Sequence, residues 1–332
     1  MESAKKQRKK KRPGADLHLA PENFPELNAA FYGMSPHGYL RMRLRSLYLW
    51  QGNPDGMFQL MRDGVKFDEM AISTPDENPD DDDEDERRRF TAIELEVLLH
   101  HVSETLLRLY IVHAQLPVCP WLEVSRERDF RKFKKQVEEL QQRLRNGEEV
   151  KRIHQVFHIN DDRSAIKPTP DKVIWDASAK NIGRYLDFYA SCFLDSSSYN
   201  AAKHGLALTA GDHGVHLGVG SDKEPFLSRE GQAIEYLSIK QDEDRARWAR
   251  NLKWVRPKQA IPMIYVGCNL IEAIWNIGSG RYGIKELEEL KLFDRPAFDD
   301  VMKRGGYEGK GLEGIEMMGL SQTLLYYEPN ND

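Results

Sequence analysis

Apolar residues recur at three- and four-residue steps over several long stretches of this chain, a spacing typical of amphipathic helices. The strongest pattern predicts a helix over 90–113, which a proline then ends. Further helices are predicted over 125–146, where the sequence is very charged, within 176–208, and over 258–279. The apolar stripe of the first helix consists of Leu95, Leu98, Leu99, Val102, Leu106, Leu109 and Val112.

The pattern changes to alternation before the last of these helices. Residues 214–220 and 233–240 alternate apolar and polar positions, which predicts a β-hairpin or small sheet. The predicted fold is therefore mainly α, a helical bundle with a small β-hairpin insertion and a mixed α/β N-terminal segment. The predicted divisions are a disordered basic tail (1–15), a small mixed segment (16–72), an acidic disordered linker (73–89), the bundle (90–282, with the insertion near 213–240) and a peripheral C-terminal segment (283–332).

Charge is strongly segregated along the chain. The 332 residues carry a net charge of −5, which argues against a surface that is basic throughout. Lys5 to Arg12 form a basic block that suits nucleic-acid binding, a nuclear address or a solubilising tail. The acidic run Asp80 to Glu86 predicts an unfolded linker. Three widely spaced cysteines, a polar N-terminus and the lack of a long apolar run predict a cytoplasmic protein without a membrane partner.

The sequence SYNAAKHG, at the end of a predicted helix, concentrates polar chemistry. Asn200, Lys203 and His204 are three and four residues apart, so they can share one helix face. A histidine beside groups that can hold a phosphate suits acid–base catalysis. The same residues also suit a simple helix end, in which Lys203 and His204 complement the helix dipole and Gly205 caps the helix.

The first helix supplies further candidates for chemistry. Glu104 and Arg108 are four residues apart and would form a pair across one turn. Arg108 and His113 have the spacing Arg-x4-His. A guanidinium can stabilise a pentavalent phosphate while a histidine moves a proton, which is the chemistry of a metal-independent ribonuclease.

A helix bearing SETLLRLY, followed far downstream by YNAAKHG, resembles the HEPN superfamily of helical bundles. The resemblance covers roughly residues 90–205 and 260–278. It implies a helical bundle that dimerises, often around a shared cleft. Many members of the superfamily cleave RNA as toxins or effectors of defence systems, whereas other members bind nucleotides or have lost activity. The usual motif is arginine, a polar residue, three further residues and histidine. Asn200 and His204 match it, whereas Tyr199 stands at the arginine position.

The resemblance implies a role for each candidate residue. His204 would be the general acid–base, and Asn200 would orient the scissile phosphate. Lys203 and Arg108 would stabilise the phosphate charge, with Glu104 holding Arg108 in place. We therefore predict an RNA-binding protein or metal-independent endoribonuclease of a defence or stress system. The alternative, favoured by the tyrosine at the arginine position, is a catalytically inactive interaction or assembly module.

A second candidate surface is the sequence RARWARNLKWVRPK, which combines basic and aromatic residues as nucleic-acid-binding segments do. An amphipathic edge element would show the same pattern. The charged helix over 125–146 is a candidate surface for a protein partner. The candidate nucleic-acid-binding residues are Arg245, Arg247, Trp248, Arg250, Lys253, Trp254 and Arg256.

The spacing of several histidines is compatible with a metal-binding site. His154 and His158 are four residues apart, and His204, His213 and His216 form a second histidine-rich run. The segment of the first pair could equally be a strand, and His213 and His216 lie in a Gly-rich turn and an alternating strand, where they can simply face water; a metal-dependent hydrolase using His204, His213 and His216 is the third and weakest interpretation. No P-loop or dinucleotide fingerprint is present in the sequence. We therefore predict no metal and no cofactor.

Overall fold

A computed structural model describes the fold over most of the chain. The described residues are 19–63, 65–67, 70–72, 84–126, 129–166, 168–204, 207–217, 227–241, 246–287, 290–294, 298–300 and 319–324. Over these residues the protein is mainly α-helical with a four-stranded antiparallel sheet, which confirms the predicted mainly α class. The predicted basic tail and residues 73–83 of the predicted linker lie outside the described residues.

The elements follow one another in a mostly helical order, with strands near the start and after the ninth helix. The helices are α1 (Phe24–Gly33), α2 (Pro36–Gly52), α3 (Pro54–Asp63), α4 (Glu84–His113), α5 (Pro120–Arg126), α6 (Phe130–Arg145), α7 (Val150–Phe157), α8 (Lys172–Leu194), α9 (Ser197–Lys203) and α10 (Pro257–Arg281). The strands are β1 (Val65–Phe67), β2 (Met70–Ile72), β3 (Leu208–Leu217), β4 (Leu227–Gln241), β5 (Ala246–Trp254) and β6 (Gly319–Thr323).

The central helix α4 confirms the strongest sequence pattern but starts earlier than predicted. Its apolar stripe is buried in the core, with only Leu99 partly exposed among the seven predicted positions. The helix begins at Glu84, so the prediction of an unfolded linker was wrong for residues 84–89. Acidic residues in the first turn favour a helix N-terminus, and Arg88 donates to Glu84 Oε1 at 2.5 Å one turn away.

Two predicted helices are each divided in the structure. The segment 125–146 contains the end of α5 and then α6, whose first N–H groups are capped by the Asp129 carboxylate. The segment 176–208 contains α8 and α9, and Asp195 lies between them. The Asp129 cap explains where α6 starts, whereas α9 starts at Ser197 without a side-chain capping hydrogen bond.

The N-terminal segment is mixed, as predicted, and its helices belong to the same core as the bundle. Tyr32, Leu40 and Leu44 pack with residues of α4 and α10. The hairpin β1–β2 accounts for the β content of this segment. Arg41, which alternates with other arginines in the sequence, lies on helix α2 and donates to both carboxylate oxygens of Glu272 on α10 at 3.1 and 3.0 Å.

The sheet is larger than the predicted hairpin. Its strand order is β3–β4–β5–β6 and every neighbouring pair is antiparallel. The third strand is the basic and aromatic segment, and the fourth comes from the predicted peripheral C-terminal segment. Ile234 and Tyr236 on β4 enter the helical core, so one face of the sheet packs against the bundle and the other faces outward.

Helix α10 completes the core behind α4. By length and composition it is apolar enough to cross a membrane, yet 61% of its most apolar window is buried within the protein. Such burial is what a core helix requires, so its composition follows from packing. Gly278 allows the Tyr32 ring to approach the helix closely, because any larger residue at position 278 would overlap that ring.

Candidate functional site

The C-terminal end of α9 presents three of the five predicted catalytic residues to solvent. Asn200, Lys203 and His204 are all exposed. The helix ends with the backbone N–H of His204 donating to the carbonyl of Asn200 at 3.0 Å. Within the described residues, neither Lys203 nor the His204 imidazole forms an ion pair or a hydrogen bond. These groups are therefore accessible to a ligand.

Tyr199, at the motif's arginine position, faces inward instead. Only 9% of it is exposed, and its ring stacks on that of His100 with centroids 3.8 Å apart. Its hydroxyl lies 3.0 Å from Nε2 of His101, on the same turn of α4. Tyr199 therefore fixes α9 to the middle of the central helix.

An arginine from α2 sets the hydrogen bonding of this tyrosine. Arg43 lies 2.7 Å from Nδ1 of His101 and also pairs with Glu94. A guanidinium can only donate, so His101 Nδ1 accepts and the ring proton is on Nε2. His101 therefore donates to the Tyr199 hydroxyl oxygen. The Tyr199 hydroxyl can therefore donate its own hydrogen to another acceptor.

The electrostatics keep this group of side chains in defined protonation states. Burial lowers the pKa of His101, and the nearby charges of Arg43 and Lys203 lower it further, so this imidazole is neutral at neutral pH. Burial raises the pKa of Tyr199, and Glu104 adds to the effect, so the phenol keeps its proton. The Lys203 ammonium is 6.0 Å from the centre of the Tyr199 ring.

Arg108 and Glu104 form the pair that their spacing predicts, but the structure does not bring Arg108 to His204. Arg108 donates to Glu104 Oε1 at 2.9 Å, and its guanidinium lies over the Phe133 ring at 4.0 Å. No contact among the described residues joins either side chain to His204. His101 of α4 contacts Tyr199. Each helical residue advances the chain by about 1.5 Å, so Arg108, seven residues later, lies about 10 Å further along α4.

The basic and aromatic segment divides between solvent and core, because alternate side chains of β5 face opposite sides of the sheet. Arg247, Trp248 and Arg250 are exposed, although Arg250 donates to both oxygens of Glu235 at 2.6 and 2.8 Å. Arg245 lies outside the described residues. The candidate nucleic-acid-binding residues that the structure describes are therefore not all exposed on one surface.

Lys253, predicted to bind nucleic acid, is held in an ion cluster that is largely buried at Glu96 and exposed at Asp195. Its ammonium lies 2.5 Å from Glu96 Oε1 and 3.0 Å from Asp195 Oδ2. Ser198 also donates to Glu96 Oε1, at 2.6 Å. Burial opposes the charge of Lys253, but the two carboxylates outweigh it and raise its pKa. Lys253 thus joins the sheet to α4 and to the start of α9, and is not available to a phosphate.

The remaining residues of the segment are also structural. Trp254 is 3% exposed, donates from Nε1 to the carbonyl of His213 at 3.2 Å, and carries the Arg229 guanidinium over its ring at 4.6 Å. Arg256 precedes α10 and lines a cleft of about 600 Å³ between α4, α8 and the sheet. The cleft walls are mostly apolar side chains, and Lys253 is among the polar groups in it.

The histidines considered for a metal are not brought together as a set of three ligands among the described residues. His154 and His158 lie with their Nδ1 atoms 2.8 Å apart, and His158 Nε2 is 3.0 Å from the Ser178 hydroxyl. His213 and His216 are three residues apart on β3 and so point to opposite faces. Across the part of the chain that the structure describes, no group of three ligating side chains could hold a metal ion.

The chain matches no protein-family model, no curated protein and no solved structure. The resemblance to HEPN bundles therefore depends on the motif and helices of this chain alone. Sequence reasoning also missed Arg43 and His101, the two residues that hold Tyr199. The histidine pair at 100–101 in the middle of an apolar helix was the available signal.

Proposed function

We propose that this chain is an HEPN-like RNA-binding protein that holds an RNA phosphate at the C-terminal end of α9 and cleaves the RNA without a metal. One observation carries the proposal: Asn200, Lys203 and His204 are exposed together within five residues, and among the described residues neither Lys203 nor the His204 imidazole is in an ion pair or hydrogen bond. An exposed amide, ammonium and imidazole at one place suit a phosphate.

The chemistry assigned to this site is a transesterification. His204 accepts the proton of a ribose 2′-hydroxyl, and the 2′-oxygen forms a bond to the adjacent phosphorus. The bond from phosphorus to the 5′-oxygen breaks, and that oxygen takes a proton from water. The products are a 2′,3′-cyclic phosphate and a 5′-hydroxyl. Lys203 offsets the charge that develops on the phosphate, and Asn200 donates to one of its oxygens.

A second candidate, an inactive HEPN-like module that binds without cleaving, is favoured by the placement of Arg108. Tyr199 replaces the motif's fixed cation, and Arg108 is engaged with Glu104 and Phe133. Lys203 is then the cation that remains at the site. For both candidates we propose a cytoplasmic homodimer in a defence or stress system. The reducing cytoplasm suits the three cysteines, which are all free thiols.

Incubation of the full chain with end-labelled RNA in EDTA tests the proposal. We expect wild type to yield fragments ending in 2′,3′-cyclic phosphate, and His204→Ala to yield none while keeping the wild-type thermal melting profile. Arg108→Gln is the matched control, since the proposal places Arg108 outside the site, and it should cleave normally. Binding without cleavage by wild type would support the second candidate. Cleavage by His204→Ala would refute the assignment of His204.

A further inference from the structure

The outer face of the sheet, across from the bundle, exposes a contiguous apolar patch. Residues that pair across two antiparallel strands have their side chains on the same face of the sheet. Ile239 of β4 pairs with Trp248 of β5, and Leu237 pairs with Arg250. Leu252 of β5 pairs with Leu320 of β6. The exposed fractions are 55% for Leu237, 60% for Ile239, 51% for Trp248 and 42% for Leu320.

This grouping differs from the scattered apolar residues of an ordinary surface. Single exposed apolar side chains are normal, whereas a group on neighbouring strands marks an interaction site. The opposite face of β4 provides an internal comparison, because Ile234 and Tyr236 there are 0% and 9% exposed and pack against helices. The outer face is covered at one end, where Ala233 and Trp254 are buried, but at the end with Leu237 and Ile239 it has apolar residues without a covering element among the described residues. It thus has the composition of an interface.

The charges within the patch identify a second copy of the chain as the occupant. Its centre holds Arg250 and Glu235 in a two-point ion pair, so the patch carries no excess of positive charge for RNA. A two-fold axis near this pair would place each guanidinium beside the partner's Glu235 as well as its own. A patch with one cation and one anion side by side is complementary to itself under such rotation.

We propose that two copies of this chain associate face to face through the patch of Leu237, Ile239, Trp248, Arg250 and Leu320. Trp248, beside that centre, is the main apolar contact, since tryptophan and arginine dominate interface energetics. The patch spans three strands about 4.8 Å apart, which is small for a specific interface. The dimer is therefore weak, with a dissociation constant in the micromolar range.

The interface is separate from the RNA site proposed above. Lys253, on the inner face of β5, reaches Ser198 at the start of α9, so α9 lies on the bundle side of the sheet. The patch lies on the other side. A change in the patch should leave RNA binding by the monomer intact, and the two proposals can fail independently.

Sedimentation velocity of the full chain from about 1 to 100 µM tests the proposal. We expect wild type to shift from monomer to dimer over this range. Trp248→Glu should weaken dimerisation by about tenfold or more. Val173→Glu is the matched control, because Val173 is 76% exposed at the start of α8, outside the patch. Thermal melting of each variant establishes that it is folded.

A charge-reversal experiment distinguishes contacts between copies from contacts within one. Glu235→Arg alone and Arg250→Glu alone should each be monomeric, since a homodimer would bring four like charges together. An equal mixture of the two variants should form a heterodimer, because each then supplies the charge that the other lacks. A wild type that stays monomeric, a dimer that tolerates Trp248→Glu, or charge variants that fail to associate when mixed would each overturn the proposal.

Discussion

Lowering the pH from 7 to 5.5 should destabilise this protein by a few kcal/mol, because several histidines are buried in their neutral form. Burial lowers the pKa of His100 to about 4, that of His113 to about 4 and that of His158 to about 3. In the unfolded chain each should titrate near 6.5. Burial outweighs the hydrogen bonds: His113 lies 2.7 Å from the Leu109 carbonyl, a contact that raises the pKa, yet the pKa of the fully buried ring stays low.

The sign and size of the effect follow from proton linkage. Each folded-state pKa lies below the unfolded value, so the contribution to stability is complete above pH 6.5 and is lost as the pH falls towards the folded value. Between pH 7 and 5.5 the loss is about 1.2 kcal/mol per histidine, or about 3.7 kcal/mol for three. That is a large share of the 5–15 kcal/mol typical of a folded domain. Burial lowers the pKa of His154 too, which acts in the same direction.

Urea denaturation at several pH values measures this effect. The slope of the unfolding free energy against pH reports the number of protons taken up on unfolding, and it should approach three near pH 5.5. His113→Gln should reduce the slope by about one proton, whatever it does to absolute stability. A free energy of unfolding that is constant between pH 7 and 5.5 would refute the assignment of neutral buried histidines.

Two substitutions test contacts that stabilise the fold. Lys253→Met should destabilise the fold by about 1–3 kcal/mol in urea denaturation, because it leaves the largely buried Glu96 carboxylate without its cation, whereas Asp195 is exposed to water. Adding Glu96→Gln should recover part of that loss, and the absence of any recovery would argue against the ion cluster. Gly278→Ala should lower stability by about 1–3 kcal/mol, since its new methyl group would overlap the Tyr32 ring. An unchanged melting temperature would contradict this close packing.

The helices of the core were predictable because their apolar spacing reflects burial directly. The stripe of α4 and the apolar run of α10 both follow this rule. The sequence pattern did not predict strand β5. Arginine and lysine side chains lie on both of its faces, so its apolar and polar positions do not alternate clearly. One of those cations, Lys253, is buried against carboxylates from distant parts of the chain, which local pattern cannot reveal.

The candidate site was predictable only in part, for a similar reason. The exposed end of α9 follows from one short segment, so sequence spacing was enough to group Asn200, Lys203 and His204. The hydrogen bond of Arg43 to His101 joins residues 58 positions apart in sequence, and no periodicity reports such a contact. Arg108 was assigned to the site from motif spacing, although two turns of helix separate it from the His101 that contacts Tyr199.

The salt dependence of RNA affinity tests most directly whether the end of α9 holds a phosphate. For single-stranded RNA, the slope of log affinity against log salt falls by about 0.7 for each phosphate contact that is lost. We predict that Lys203→Gln lowers the slope by about that amount and that Arg108→Gln leaves it unchanged. An unchanged slope in Lys203→Gln, or a reduced slope in Arg108→Gln, would contradict the account.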